Sequence, residues 1–272
     1  METRELARVW HPAQHCALWL GAWATGHAGW DHVLAALTAL TGRQGVALVD
    51  AVVPEVVDLS GDPGAAGLLR LVRAVAGDRP RGLAEEPVVR LVLSGPGDAP
   101  ALPADAPVAA EARAAGAAVV LADAAPGWRH VLVPARARGG VAWRWHSIEG
   151  PLPEPAHLSP GEADLLLAEA TREAAAAIAA RCPGGVAAGA DPALTVGRLD
   201  DHLDLAETPA ALPRRAAGLL ARADRVAAIL AGARAAAGAA ADPELARLHR
   251  PVRLARMAAV DYAVRTWQDA AG

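Results

Sequence analysis

A chain of 272 residues, 53% hydrophobic and 21% charged, is long enough for one large domain or two smaller ones and too apolar for a disordered polyelectrolyte. Its net charge of −4 gives no general pull toward nucleic acid or anionic membrane. All 26 basic residues are Arg, and Lys, Asn and Phe are absent, which excludes Schiff-base enzymes, pyridoxal phosphate anchors, lysine phosphate loops, S-x-x-K acyl transferases and protein kinases.

Those absent residues have AT-rich codons, so a GC-rich genome accounts for the bias. The opening "METRELARVW" is charged and lacks an apolar signal core, and no run of about 18 uncharged apolar residues reads as a membrane span. Cys16 and Cys182 lie far apart and make no disulfide framework. The expectation is a cytoplasmic protein with reduced thiols.

In chain order, Pro12 suits a first helical position, and a helix runs to about Ala24, where Thr25-Gly26 stops it. A second helix starts near Asp31, whose carboxylate suits the positive helix end, and stops at Thr41-Gly42. "VALVDAVV" (46–53) reads as a short buried strand. Asp62-Pro63 opens a helix carrying Leu68, Leu69, Leu71, Val72 and Val75, closed by Gly77. "VVRLVLS" (88–94) is a strand, 106–116 a short helix and "AAVVLAD" (117–123) another strand, an order that favours a parallel crossover. "RHVLVPA" and "VAWRWHS" flank "RARGG" as an antiparallel hairpin. Along its second strand Val141, Trp143 and Trp145 point one way, and Arg144 and His146 the other.

The proline-rich 149–160 segment reads as a linker, and the remainder as helical. Ser159-Pro160-Gly161-Glu162 has capping-box spacing; Asp191-Pro192, Leu212-Pro213 and Asp242-Pro243 repeat the start signal. Leu219, Val226, Ile229, Leu230 and Ala233 form a core stripe, and Pro251 is expected to kink or divide the last helix.

Four stretches invite chemistry. In "HPAQH", His11 and His15 have zinc-ligand spacing, but Pro12 stands where an H-E-x-x-H enzyme has its Glu and pushes His11 toward a cap. They are weak metal candidates, and no metal or other cofactor is expected. The spacing of four that links His15, Trp19 and Trp23 is that of a packed helix face, which places His15 and Cys16 near the core and His11, His27 and His32 toward helix ends.

The turn after the 88–94 strand is Gly-rich but lacks G-x-G-x-x-G, and its prolines lack the N–H groups of a phosphate cradle. Ser94 there is a weak candidate nucleophile, with His130 or His146 as base and Asp98 or Asp123 as orienter, though no nucleophile elbow surrounds it. Asp200, Asp201, His202, Asp204 and Glu207 read as a solvated acidic face. Arg247, Arg250, Arg253 and Arg256 recur every three residues, as a phosphate-binding row or a mixed surface.

"HPAQHCALWLGAW", "LVLSGPGDAPALP", "VAWRWH" and "LPRRAAGLLARADRVAAIL" together resemble an uncharacterised conserved protein family of actinobacteria over most of the chain. The resemblance implies a cytoplasmic bacterial protein and supports these element boundaries; it carries over no activity, cofactor or site residue. The fold expected is α+β: a helical hairpin (1–45), a mixed sheet region (46–150) and a helical region (157–272), whether or not they pack as one domain. The leading functional expectation is a non-enzymatic interaction or regulatory protein that meets another protein, or its own copy, through helical faces. The alternative is a small-molecule-binding protein or hydrolase with a pocket between sheet and helices.

Overall fold

The computed structural model describes residues 12–54, 64–77, 86–95, 98, 100–155, 157–181, 207–237 and 242–271. Helix α1 (Pro12–Ala24) and helix α2 (Trp30–Thr41) form the expected hairpin. Every residue of α1 from Ala13 to Ala22 is buried, so it is an interior helix rather than an amphipathic surface one. The Nε2 of His15 donates to the carbonyl of Ala36 at 3.0 Å and ties the two helices together.

Strand β1 (Arg43–Leu48) begins three residues before the predicted segment and is not a buried strand. It is an edge strand, paired only with β5, and leaves Leu48 42% exposed. Helix α3 (Gly64–Ala76) buries Leu68, Leu69, Leu71, Val72 and Val75 as the pattern requires; Asp62 and Pro63 lie outside the described residues. Strand β2 (Val89–Leu93), helix α4 (Pro107–Ala115) and strand β3 (Ala117–Ala122) follow.

The expected parallel crossover does not form: β2 and β3 are antiparallel neighbours. Leu93 lies opposite Ala117, and the Ser94 N–H donates to the carbonyl of Gly116 at 2.9 Å, so both ends of the connection are fastened at one end of the sheet. Gly116, in the left-handed region at φ 76°, makes the reversal from helix to strand. Strands β4 (Trp128–Ala137) and β5 (Gly140–Glu149) complete a mixed sheet of order β1-β5-β4-β3-β2. A two-residue turn joins them, with Gly139 at φ 77°.

Side chains directly opposite in neighbouring strands share a face. One face carries Val92, Ala118, Val120, Val131 and Val133, covered by Val108, Ala109 and Ala112 of α4. The other carries Trp143 and Trp145, both fully buried. On that side Gln44 accepts from Trp143 Nε1 at 2.9 Å and donates to the carbonyl of Leu37 in α2, so its buried amide is satisfied at both ends. Strand β3 is buried on both faces, which explains its uninterrupted apolar run. Fully burying a Leu or Val contributes roughly 1.5–3 kcal/mol, so this layered core dominates the unit's stability.

The chain divides into two compact units: one comprises 11–157, 208–213 and 260–272, the other 158–207 and 214–259, each in its described part. The second unit contains helix α5 (Pro160–Arg181), helix α6 (Arg214–Ala237) and the first part of helix α7 (Asp242–Ala271). The capping box is formed: the Ser159 N–H donates to Glu162 Oε2 at 2.8 Å, and the Glu162 N–H to Ser159 Oγ at 3.3 Å. Of the predicted α6 stripe, Leu219, Val226 and Leu230 are buried, whereas Ile229 is 45% exposed. Pro251 does not divide α7, which runs through it as one helix; buried Leu248 and Val252 anchor it on either side. Among the described residues no helix is long and apolar enough to cross a membrane.

Candidate functional site

The chemistry-bearing side chains gather on β4 and β5, but on opposite faces. On the tryptophan face, His130 lies opposite Ser147 in the β4–β5 register. Its Nε2 is 2.7 Å from Asp123 Oδ2, and its Nδ1 is 3.0 Å from Ser147 Oγ. Asp123 follows β3, so three consecutive segments of the sheet meet at one fully buried imidazole. This is the connectivity of an Asp-His-Ser relay.

The remaining hydrogen bonds decide how that relay is protonated. Trp145 Nε1, which can only donate, gives its proton to His130 Nδ1 at 3.1 Å. Nδ1 is therefore the acceptor nitrogen, and Nε2 carries the proton that goes to Asp123. Ser147 Oγ accepts the Val52 N–H at 2.8 Å and donates to the Val52 carbonyl at 3.3 Å. The lone pair that would take the Ser147 proton is thus shared with an indole N–H, and the hydroxyl fastens the segment after β1. Burial pushes the His130 pKa down, and Asp123 offsets part of that shift, so the ring is neutral at pH 7.

On the α4 face, Glu111 bridges Arg144 and His146. Arg144 donates through Nε at 2.7 Å and Nη2 at 3.0 Å, a bidentate pair. His146 Nε2 lies 3.2 Å from the same carboxylate, and its Nδ1 is 4.0 Å from Asp50. The Arg144 hydrogen bond is the main reason the Glu111 carboxyl sits below its ordinary range. His146 itself is buried, although alternation alone placed it on the face opposite the tryptophans.

The other candidates stand apart. Ser94 lies level with Gly116 and His130 opposite Leu121, five residues further along the chain, which separates Ser94 from His130 by about 16 Å along the sheet. Ser94 Oγ is buried, with no hydrogen-bond partner among the described residues. Asp98 lies in the loop beyond it, its N–H donating to the carbonyl of Gly95. His11 and most of the acidic 200–207 stretch lie outside the described residues. Burial in the α1–α2 core lowers the His15 pKa to about 4 and raises that of Cys16. No group of three His, Cys, Asp or Glu side chains suited to a metal occurs among the described residues. In the arginine row, Arg256 is buried against Asp224 at 2.6 Å while Arg247 and Arg250 are exposed, so the four do not share one face. A step of three turns a helix back by roughly 60°, which puts the ends of the row on opposite sides.

Ser147, Trp145 and Glu111 are the members of these clusters that the residue types alone did not single out. The signal for Ser147 was present: it follows Trp145 by two in a strand, so both share a face.

Fold and site together define an α+β protein with a five-stranded mixed sheet and two buried histidine networks on its central strands. The chain belongs to the Rv1486c-like protein family: residues 13–158 match its N-terminal domain and residues 161–257 its C-terminal domain. It is 32% identical over 245 residues to Uncharacterized protein MT1533 of Mycobacterium tuberculosis (strain CDC 1551 / Oshkosh), covering 82% of this chain and 83% of that relative. It is 33% identical over 192 residues to Uncharacterized protein Rv1486c of Mycobacterium tuberculosis (strain ATCC 25618 / H37Rv), covering 62% of this chain and 65% of that relative. No solved structure matches the chain.

Proposed function

We propose that this is a non-enzymatic interaction or regulatory protein of the cytoplasm, which meets its partner through the helical unit. The observation that carries the reading is apolar exposure on a packed helix pair. Leu165 is 56% and Leu166 41% exposed on α5, and Ile229 is 45% exposed on α6. These helices are joined by the Arg222–Asp164 ion pair at 2.8 Å. Three large aliphatic side chains left exposed within one helical unit favour a partner surface. The test is affinity capture from an actinobacterial lysate with the wild type and a Leu165→Glu/Leu166→Glu/Ile229→Glu variant, helicity being checked by circular dichroism. Loss of specific partners in the folded variant supports the reading; an unchanged set of captured proteins counts against it.

A second reading rests on the contiguous Asp123–His130–Ser147 chain, which is the wiring of a hydrolase. A fluorophosphonate probe distinguishes the two. Labelling of the wild type that is lost in Ser147→Ala favours hydrolysis, and no labelling leaves the relay as a structural tie between β4, β5 and the segment after β1.

A further inference from the structure

Among the described residues, three arginines place their Nε and Nη2 edge on a carboxylate. Arg129 uses Nε and Nη2 on Glu86, Arg144 uses the same edge on Glu111, and Arg256 the same edge on Asp224. In Arg90 the corresponding Nε and Nη2 are enclosed, with no hydrogen-bond partner among the described residues. Two charged donors removed from water and left unmatched are costly, and a half-filled site is a common reason for such a cost.

The surroundings are those of an anion site. Arg90 lies opposite Val120 and Arg129 opposite Ala122, and those two β3 residues share a face, so both guanidiniums stand on the same side of the sheet. The charges acting on Arg90 are Glu86 and Asp261, opposed by Arg129 and Arg265. Both carboxylates are already engaged: Glu86 by Arg129, and Asp261 by Arg265 at 2.9 Å and His157 at 3.8 Å. Among the described residues, three guanidiniums therefore face two carboxylates, and the excess positive charge falls at the unfilled fork.

We propose that Arg90 anchors an anion-binding site that receives the phosphate or carboxylate group of a small ligand. Arg265 and His157 are 39% and 70% exposed at the side chain and form its open side. Turning the guanidinium toward them presents the Nε/Nη2 edge to an incoming oxyanion, the bidentate geometry that Arg129 and Arg144 use. Gln268 braces the wall: its Oε1 accepts the Val88 N–H at 3.0 Å and holds the start of β2 in place. The site lies wholly within the sheet-bearing unit and is independent of the partner surface on α5 and α6.

The test is calorimetric titration of the full chain with inorganic phosphate and, separately, with acetate, at constant ionic strength. Saturable binding of either anion is expected, weakened about tenfold or more in Arg90→Met and unchanged in Arg172→Met, an exposed arginine of the other unit. Arg90→Lys keeps the charge but loses the fork, and is also expected to bind more weakly. Without added anion, Arg90→Met should melt at or above the wild-type temperature, because the change removes an unmatched buried charge. Phosphate-only or acetate-only binding names the ligand group. No saturable binding to the wild type, equal binding to Arg90→Met, or a several-degree drop in its melting temperature without anion overturns the proposal.

Discussion

Trp145 donates its indole N–H to Nδ1 of His130 at 3.1 Å, while Nε2 of the same ring meets Asp123 at 2.7 Å. Both ring nitrogens are thereby assigned, and a second proton on Nδ1 would set two donors against each other. Trp145→Phe should lower stability by about 2 kcal/mol through the lost hydrogen bond and the partial cavity. It should also raise the His130 pKa, because Ser147 Oγ then accepts from a protonated Nδ1. Histidine NMR titration of the two proteins checks this, and an unchanged His130 titration would contradict it.

His15 gives the fold a pH dependence of known sign. Its pKa is lowered by burial from 6.5 to about 4, the Ala36 carbonyl opposing part of the shift. Above pH 6.5 the folded and unfolded chains both carry neutral His15, and no penalty exists. As pH falls below 6.5 the unfolded chain binds a proton that the folded chain refuses, so stability drops down to about pH 4. The full loss is roughly 3 kcal/mol, of which about 2 develops by pH 5. His130, lowered in the same direction, adds to the slope. Urea unfolding followed by Trp fluorescence should show His15→Gln losing less stability than the wild type between pH 7 and 5.

The Asp224–Arg256 pair is buried in the helical unit, 1% and 6% exposed. Arg256→Met alone removes the guanidinium that is paired with the buried Asp224 carboxylate and should cost roughly 3–5 kcal/mol. The double change Asp224→Leu/Arg256→Met removes both charges and should recover most of that loss. A double-mutant cycle by thermal melting measures the coupling, and additive losses would show that the two charges do not depend on each other.

Gly140 stands where β5 meets β1. A Cβ there would lie 1.8 Å from the Arg43 carbonyl oxygen, a backbone atom that cannot move without breaking the parallel pairing. Gly140→Ala should therefore release β1, with loss of amide-exchange protection over 43–48. Gly139→Ala, one residue earlier, meets nothing within 4 Å and pays only for a left-handed φ, about 1 kcal/mol. Equal protection in both variants would show that the close approach is not what holds the edge.

Much of the fold was legible because its signals are local. Pro12, Thr25-Gly26 and Gly42 bound two helices correctly, and the Ser159–Glu162 capping box formed as its spacing implied. The site was half legible. A two-residue turn at Arg138-Gly139 fixes the hairpin register outward to His130 opposite Ser147, and strand alternation puts Trp145 on the same side. With that turn placed, the His130 network follows; with "RARGG" read only as a general turn region, it does not. Glu111 gave no such signal, since nothing near it in the chain implies that α4 lays it against Arg144 and His146.

Propensity, capping and residue identity act over a few positions, and they were enough for the helix boundaries around Pro12–Thr41, a mixed sheet and the exclusion of lysine chemistry, though not for the bounds of β1. Three-dimensional packing made β2 and β3 antiparallel, put β1 at the edge of the sheet, and set Ser94 far from either histidine. It also decided which arginine fork is left unfilled. Those outcomes depend on which strands become neighbours and in what register, and that is set by long-range packing of buried faces rather than by any residue's own neighbourhood.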